Sequence, residues 1–145
     1  MLWMSSSISE NPIPHSLPYS SGHTAFVYED ICRERMWNLS AENYWPFQFS
    51  KVGSWWDGKN EIDIAAIDPE GNNLVLGECK YWQEPVGVNI LRELEAKSEK
   101  VDWQKKNRRV WYVLFSASGF TKELEKLATV RKDLLLFDDN SVPEF

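Results

Sequence analysis

The stretch KVGSWWDGKNEIDIAAIDPEGNNLVLGECK, residues 51–80, decides the fold. Its first half invites another reading, because Gly53, Gly58 and Lys59 stand where a phosphate-binding loop needs them, with Asn60 in place of Ser or Thr. Such a loop must open a helix at once, so that backbone N–H groups and the helix terminus face phosphate. Here EIDIAAID follows, alternating with the period of a strand, and Trp55 and Trp56 would put two bulky rings where phosphate must approach. The stretch therefore reads as strands at 46–56, 61–67 and 73–80, joined by DGKN and DPEGNN, both rich in turn formers. That is an antiparallel meander, with Gly53 and Gly58 at backbone bends and Lys59 in a turn.

The second turn fixes a register. If its loop is even and centred between Glu70 and Gly71, Asp63 falls opposite Glu78, and cross-strand partners have Cβ atoms about 5 Å apart on one face. Strand side chains repeat every two residues, so Lys80 shares the face of Glu78, with Leu74 and Leu76 below them. Two carboxylates that close repel each other and raise one pKa unless a cation lies between them. Mg²⁺ or Mn²⁺ suits the place, since a hard ion takes carboxylate oxygens and can activate a water for attack on phosphorus. An acid, any residue and Lys also occur at Asp57–Lys59 and Glu95–Lys97. The first pair lies in a turn and the second diverges around a helix, so only Glu78 and Lys80 share a strand face beside another acid.

Outward from the meander, TAFVYEDICRERMWNL predicts a helix from Thr24, its candidate cap, with Tyr28, Ile31, Cys32, Arg35 and Leu39 on one stripe. NILRELEAKSEKVDW predicts a second helix capped by Asn89, with Ile90, Leu91, Leu94, Ser98 and Val101 on its apolar face. RRVWYVLFSAS is a continuous apolar run, expected of a strand covered on both faces. A short helix at TKELEKLA and a strand at LLLF complete the order α-β-β-β-α-β-α-β, an α/β fold with a mixed central sheet flanked by helices. Residues 1–20, with many Ser and Pro, read as an amino-terminal arm or linker remnant, and 21–145 as one domain.

The chain of 145 residues is 43% hydrophobic and 26% charged, the balance of a globular domain. No apolar run reaches the roughly 18 residues that would cross a bilayer, so no membrane partner and a cytoplasmic location are expected. Two Cys and two His leave too few ligands for a structural zinc site, and Cys32 and Cys79 read as reduced core residues. Both histidines lie in or near the arm, which speaks against Ser-His catalysis. The net charge is −6, yet KSEKVDWQKKNRR at 97–109 carries six Lys or Arg against two acids. Lys105, Lys106, Arg108 and Arg109 are thus candidate phosphate contacts, and the other reading is a solvated helix end.

An acid on an early helix, then Asp, then Glu-x-Lys on this order of elements resembles the PD-(D/E)XK nuclease superfamily, with its restriction-endonuclease-like fold. More closely, YEDICRE, KVGSWWDGKNEIDIAAID, LVLGECKYW and PVGVNILRELEAK are similar to the nuclease-like C-terminal domain of archaeal-type AAA ATPases, from about Gly22 to Ala128. The resemblance implies a DNA nuclease with Asp63 and Glu78 as metal ligands and Lys80 at the water. It implies Glu29 as the helical acid, with Glu34 a second candidate, and the Cys79 backbone carbonyl as a further ligand. Ile62 stands where the superfamily commonly has Pro. An AAA ATPase module is an implied partner and a homodimer is possible by analogy.

Two functions follow as expectations. One is metal-dependent hydrolysis of phosphodiester bonds, probed by Asp63, Glu78, Lys80 and Glu29. The other is a non-catalytic nucleic-acid-binding or regulatory module that serves an ATPase, in which the same charges form a solvated ladder and Glu29 pairs with Arg33 at i+4.

Overall fold

The computed structural model describes residues 8–9 and 21–138, with nine elements in the order β1 Ile8–Ser9, α1 Ser21–Ala41, β2 Lys51–Trp56, β3 Glu61–Asp68, β4 Asn73–Lys80, α2 Val88–Ser98, β5 Arg109–Ser116, α3 Lys122–Val130 and β6 Leu134–Asp138. The strands form one mixed sheet in the order β1-β2-β3-β4-β5-β6, antiparallel up to β4 and parallel from β4 to β6. Apart from β1, the elements follow the expected order. Most of the arm lies outside the described residues; Ile8 and Ser9 pair with Trp55 and Ser54 on the β2 edge. Among the described residues no helix is long and apolar enough to cross a membrane.

Alternation along the central strands explains the two layers. Ala65, Ile67, Leu74, Leu76 and Leu114 point to the side of α2 and α3, where they pack with Ile90, Leu91, Leu94 and Leu124. Ile64, Ala66, Val75, Val113 and Phe115 point the other way, onto Cys32, Met36 and Leu39 of α1. Each Val, Leu, Ile, Met or Phe side chain among them, once buried, stabilises the fold by about 1.5–3 kcal/mol. Gly77 is required between the layers: a Cβ there would meet Val113 Cγ1 at 2.5 Å and the Val113 carbonyl oxygen at 2.6 Å.

Several boundaries differ from expectation. The segment expected as a strand from 46 is irregular until Lys51, where Phe47 and Phe49 turn inward to stack with each other and with Trp45 and Trp111. Helix α1 begins at Ser21, so Thr24 lies inside it. Helix α2 is capped at Gly87 with no side-chain bond, not by Asn89, and it ends at Ser98, so Val101 is buried from the following loop. On α3, Thr121 does cap, its hydroxyl accepting from the Leu124 N–H at 3.2 Å.

The DGKN turn closes on itself. The Asp57 carboxylate accepts from the Lys59 and Asn60 backbone N–H groups at 2.9 and 2.6 Å, and Gly58 sits at φ 95°. A side chain therefore occupies the N–H groups that a phosphate loop would offer, and β3 follows in place of a helix. The likeness to a nucleotide site is accidental.

Candidate active site

The hairpin register is the expected one, with the ladder running from Asp68–Asn73 to Ile64–Gly77 across a four-residue turn. Beyond that pair the strands part. The Asp63 carboxylate reaches across and accepts the Cys79 backbone N–H through Oδ2 at 3.0 Å, where a ladder bond would otherwise continue. The cause lies on the other edge of β3, where the register against β2 shifts between Gly53 and Trp55. Ile62 and Ala65 both belong to the α2-side core, so the strict alternation is broken at Asp63 and Ile64. Asp63 thus stands at the sheet's end and acts on acids from both layers.

On the α2 side, the Glu78 carboxyl lies close enough to Asp63 for the two charges to act on each other. Lys80 Nζ lies 3.7 Å from Glu78 Oε1, and Lys97 Nζ lies 3.2 Å from Oε2. Lys97, on α2, also donates to the Glu61 carbonyl at 2.7 Å, tying the helix to the start of β3. Burial and then the Asp63 charge push the Glu78 carboxyl up to about 8, against the pull of Lys97 and Lys80. On the α1 side, burial and then Asp63 push Glu29 up to about 7, with Arg33 opposing.

Arg33 does not take the role expected of a simple i+4 partner. It donates to Asp30 Oδ1 at 2.6 Å and to the Asp63 carbonyl at 2.7 Å, so it braces the strand residue that carries the acid. Glu34 is exposed, and nothing places it with the acids. Cys32 and Cys79 are free and buried together, and burial pushes the Cys79 thiol well above its ordinary value.

The basic segment is dispersed. Arg108 is half-buried and donates to the carbonyls of Ser98 at 2.8 Å, Val101 at 2.5 Å and Trp103 at 3.0 Å, closing the end of α2. It serves as a brace, and desolvation lowers its pKa. Lys105 donates to the Glu99 carbonyl at 2.6 Å, while Lys106 and Arg109 are exposed. Arg108 and Arg109 border a cleft of about 460 Å³ with Phe47, Asn73 and Trp111. Arg109 pairs with Asn73, five positions before Glu78 on β4, roughly 17 Å at strand rise.

Lys97 and Arg33 are the site residues that sequence reasoning missed. Lys97 was legible only as the second half of a diverging helical pair and the first cation of the 97–109 segment, and Arg33 only as a neighbour of Glu29.

As a metal site the donors are few. Among the described residues no three His, Cys, Asp or Glu side chains converge closely enough to hold an ion by themselves. Asp63 and Glu78 are nonetheless hard oxygen donors in mutual repulsion, and an ion bound by one or two carboxylates, completing its shell with water, fits them. They are the residues that would hold it.

The fold and the site define an α/β domain with converging acids and lysines at the end of a mixed sheet. The chain belongs to DUF234, described as archaea bacterial proteins of unknown function, whose model matches residues 7–105. Uncharacterized protein MJECL04 of Methanocaldococcus jannaschii is 30% identical over 121 residues, 80% of this chain and 25% of that protein. The chain thus spans a quarter of that relative's length. Among solved structures, a repair endonuclease from Pyrococcus abyssi is similar at a TM-score of 0.49 and 12% identity, over 88% of this chain and 50% of that one. A complex of EndoMS with dsDNA is similar at a TM-score of 0.49 and 12% identity, over 93% of this chain and 51% of that one.

Proposed function

We propose that this domain is a metal-dependent nuclease of the PD-(D/E)XK type that hydrolyses phosphodiester bonds of DNA. The observation that carries the reading is the crossing of the Asp63 carboxylate over the parted strands to the Cys79 N–H, next to Glu78, on which its charge acts and whose carboxylate also meets Lys80. Bound there, Mg²⁺ or Mn²⁺ would supply positive charge to polarise a phosphoryl oxygen and ease deprotonation of a water. The chain's own residues do the rest. Asp63 and Glu78 set the place of the reacting phosphate, and Lys80 offers an ammonium to the attacking water or to charge gathering on phosphorus. Glu29 adds an acid from the α1 side, and the Cys79 carbonyl is the further ligand the superfamily pattern proposes. The test is cleavage of plasmid and single-stranded DNA with Mg²⁺ or Mn²⁺: Asp63→Ala and Lys80→Ala should each lower it at least a hundredfold, roughly the scale of a removed charge-stabilising group. Degradation at the same rate by both variants would sink the reading.

A second reading is favoured by Lys97, whose ammonium sits 3.2 Å from Glu78 as a built-in cation. On it the domain is a non-catalytic nucleic-acid-binding or regulatory module serving an AAA ATPase module. Lys97→Met decides between them. If the lysine replaces the metal, the variant should take up Mg²⁺ in calorimetry where the native chain does not. If the native chain already takes up the ion, the enzymatic reading stands. Either way the variant should lose about 1.5–3 kcal/mol of stability in urea, the range for a hydrogen bond to a charged group.

A further inference from the structure

Aromatic rings are left in water at the end of the sheet that holds the acids. Tyr81 and Trp82, directly after Lys80, are 49% and 44% exposed, and Trp56, which pairs with Glu61 at the start of β3, is 48% exposed. The first two are held in place. The Tyr81 ring lies 5.3 Å from the Tyr28 ring of α1, and Lys80 Nζ lies 5.1 Å over the Trp82 ring. The Trp82 carbonyl accepts from the Ser118 hydroxyl, and the chain is pinned again at Val86, which bridges to Phe120. Rings fixed before a ligand arrives lose little freedom on binding it.

Position and chemistry select the ligand. A duplex hides its base faces in its own stack and shows phosphates, whereas an unpaired strand offers π-faces that aromatic side chains can cover. Lys80 joins the two requirements, touching the Trp82 ring on one side and Glu78 on the other, so its charge is at hand for a phosphate beside a stacked base. We propose that Tyr81 and Trp82 stack on unpaired bases, and that the domain selects nucleic acid with unpaired nucleotides beside the phosphate presented to Asp63 and Glu78. This rests on the nuclease reading for what happens to that phosphate, but the stacking can be measured without it.

The experiment is fluorescence anisotropy of the full chain with labelled oligothymidine and with a blunt duplex of equal length, in EDTA and then in Mg²⁺. The native chain should prefer the single strand. Trp82→Leu and Tyr81→Leu should each weaken single-strand binding by roughly five- to a hundredfold, the range for one lost base stack. Duplex binding should hold, and Trp82→Phe, which keeps a ring, should restore most of the loss. Trp37→Leu is the control, an exposed ring eight residues beyond Glu29 on α1, about 12 Å away along the helix. Equal affinity of the native chain for both DNA forms, or no change in Trp82→Leu and Tyr81→Leu, would overturn the proposal, the latter pointing to a protein partner over these rings. Single-strand preference without cleavage would overturn the nuclease reading alone. Cleavage that ignores both ring variants would overturn the stacking alone.

Discussion

Glu78 touches two lysines and still keeps its proton to about 8, because burial and the neighbouring Asp63 outweigh both ammonium groups. Glu29 is raised to about 7 by the same two causes. Both folded values lie above the ordinary 4.5. The native state therefore binds more protons than the unfolded chain across that window, so stability is fully present below it and is lost as pH rises through the folded values. Without added metal, the thermal midpoint should fall between pH 4.5 and about 8, by roughly 3 °C for each kcal/mol lost in a chain of this size. Glu78→Gln should flatten the profile, and a midpoint that rises over this range would contradict the assignment. The register of the hairpin was legible in the sequence because a four-residue turn fixes it, but the ladder ends at Ile64–Gly77, so Asp63 does not pair opposite Glu78 as expected and instead accepts the Cys79 backbone N–H. Lys97 was not, because its contact with Glu78 depends on how α2 lies across β4, which no local spacing encodes.

Among the elements, β4 carries the site with neighbours on both edges and a core on both faces. At Gly77, Val113 of β5 leaves no room for a Cβ. Gly77→Ala should destabilise the fold by about 1–3 kcal/mol in urea, as overpacking does, and should displace Glu78 next to it. Val113→Ala should rescue it only in part, because the Val113 carbonyl oxygen at 2.6 Å belongs to the backbone. Full recovery would show that the side chain alone sets the limit. The three long strands of the meander and the apolar run of β5 were readable from period and turn chemistry. The false strand start at 46 came from an aromatic-rich segment, where Phe47 and Phe49 serve a ring cluster rather than a ladder. The cap of α2 was misread because Asn89 has the right chemistry two positions after the backbone that performs the task at Gly87.

Over the whole molecule, charge decides how the proposed nucleic acid would be met. The six cations of 97–109 look like one patch in the sequence, but Lys97 faces Glu78, and Arg108 and Lys105 bind backbone carbonyls. Lys100, Lys106 and Arg109 stay exposed on a chain of net charge −6. Duplex affinity should then depend weakly on salt, with a log–log slope of roughly −3, about −0.9 for each phosphate neutralised. Titrations at several ionic strengths check this: Arg109→Gln should lower the slope by about one, whereas a native slope steeper than about −4 would mean a larger cationic surface. The crossing of α1 and α2 on opposite faces has a last consequence. Glu29 and Lys97 reach the same end of the sheet from separate layers, so this chemistry has no address in any single segment. No excised peptide shorter than the span between them contains it, and even that span would lack β5, the neighbour that holds β4 straight.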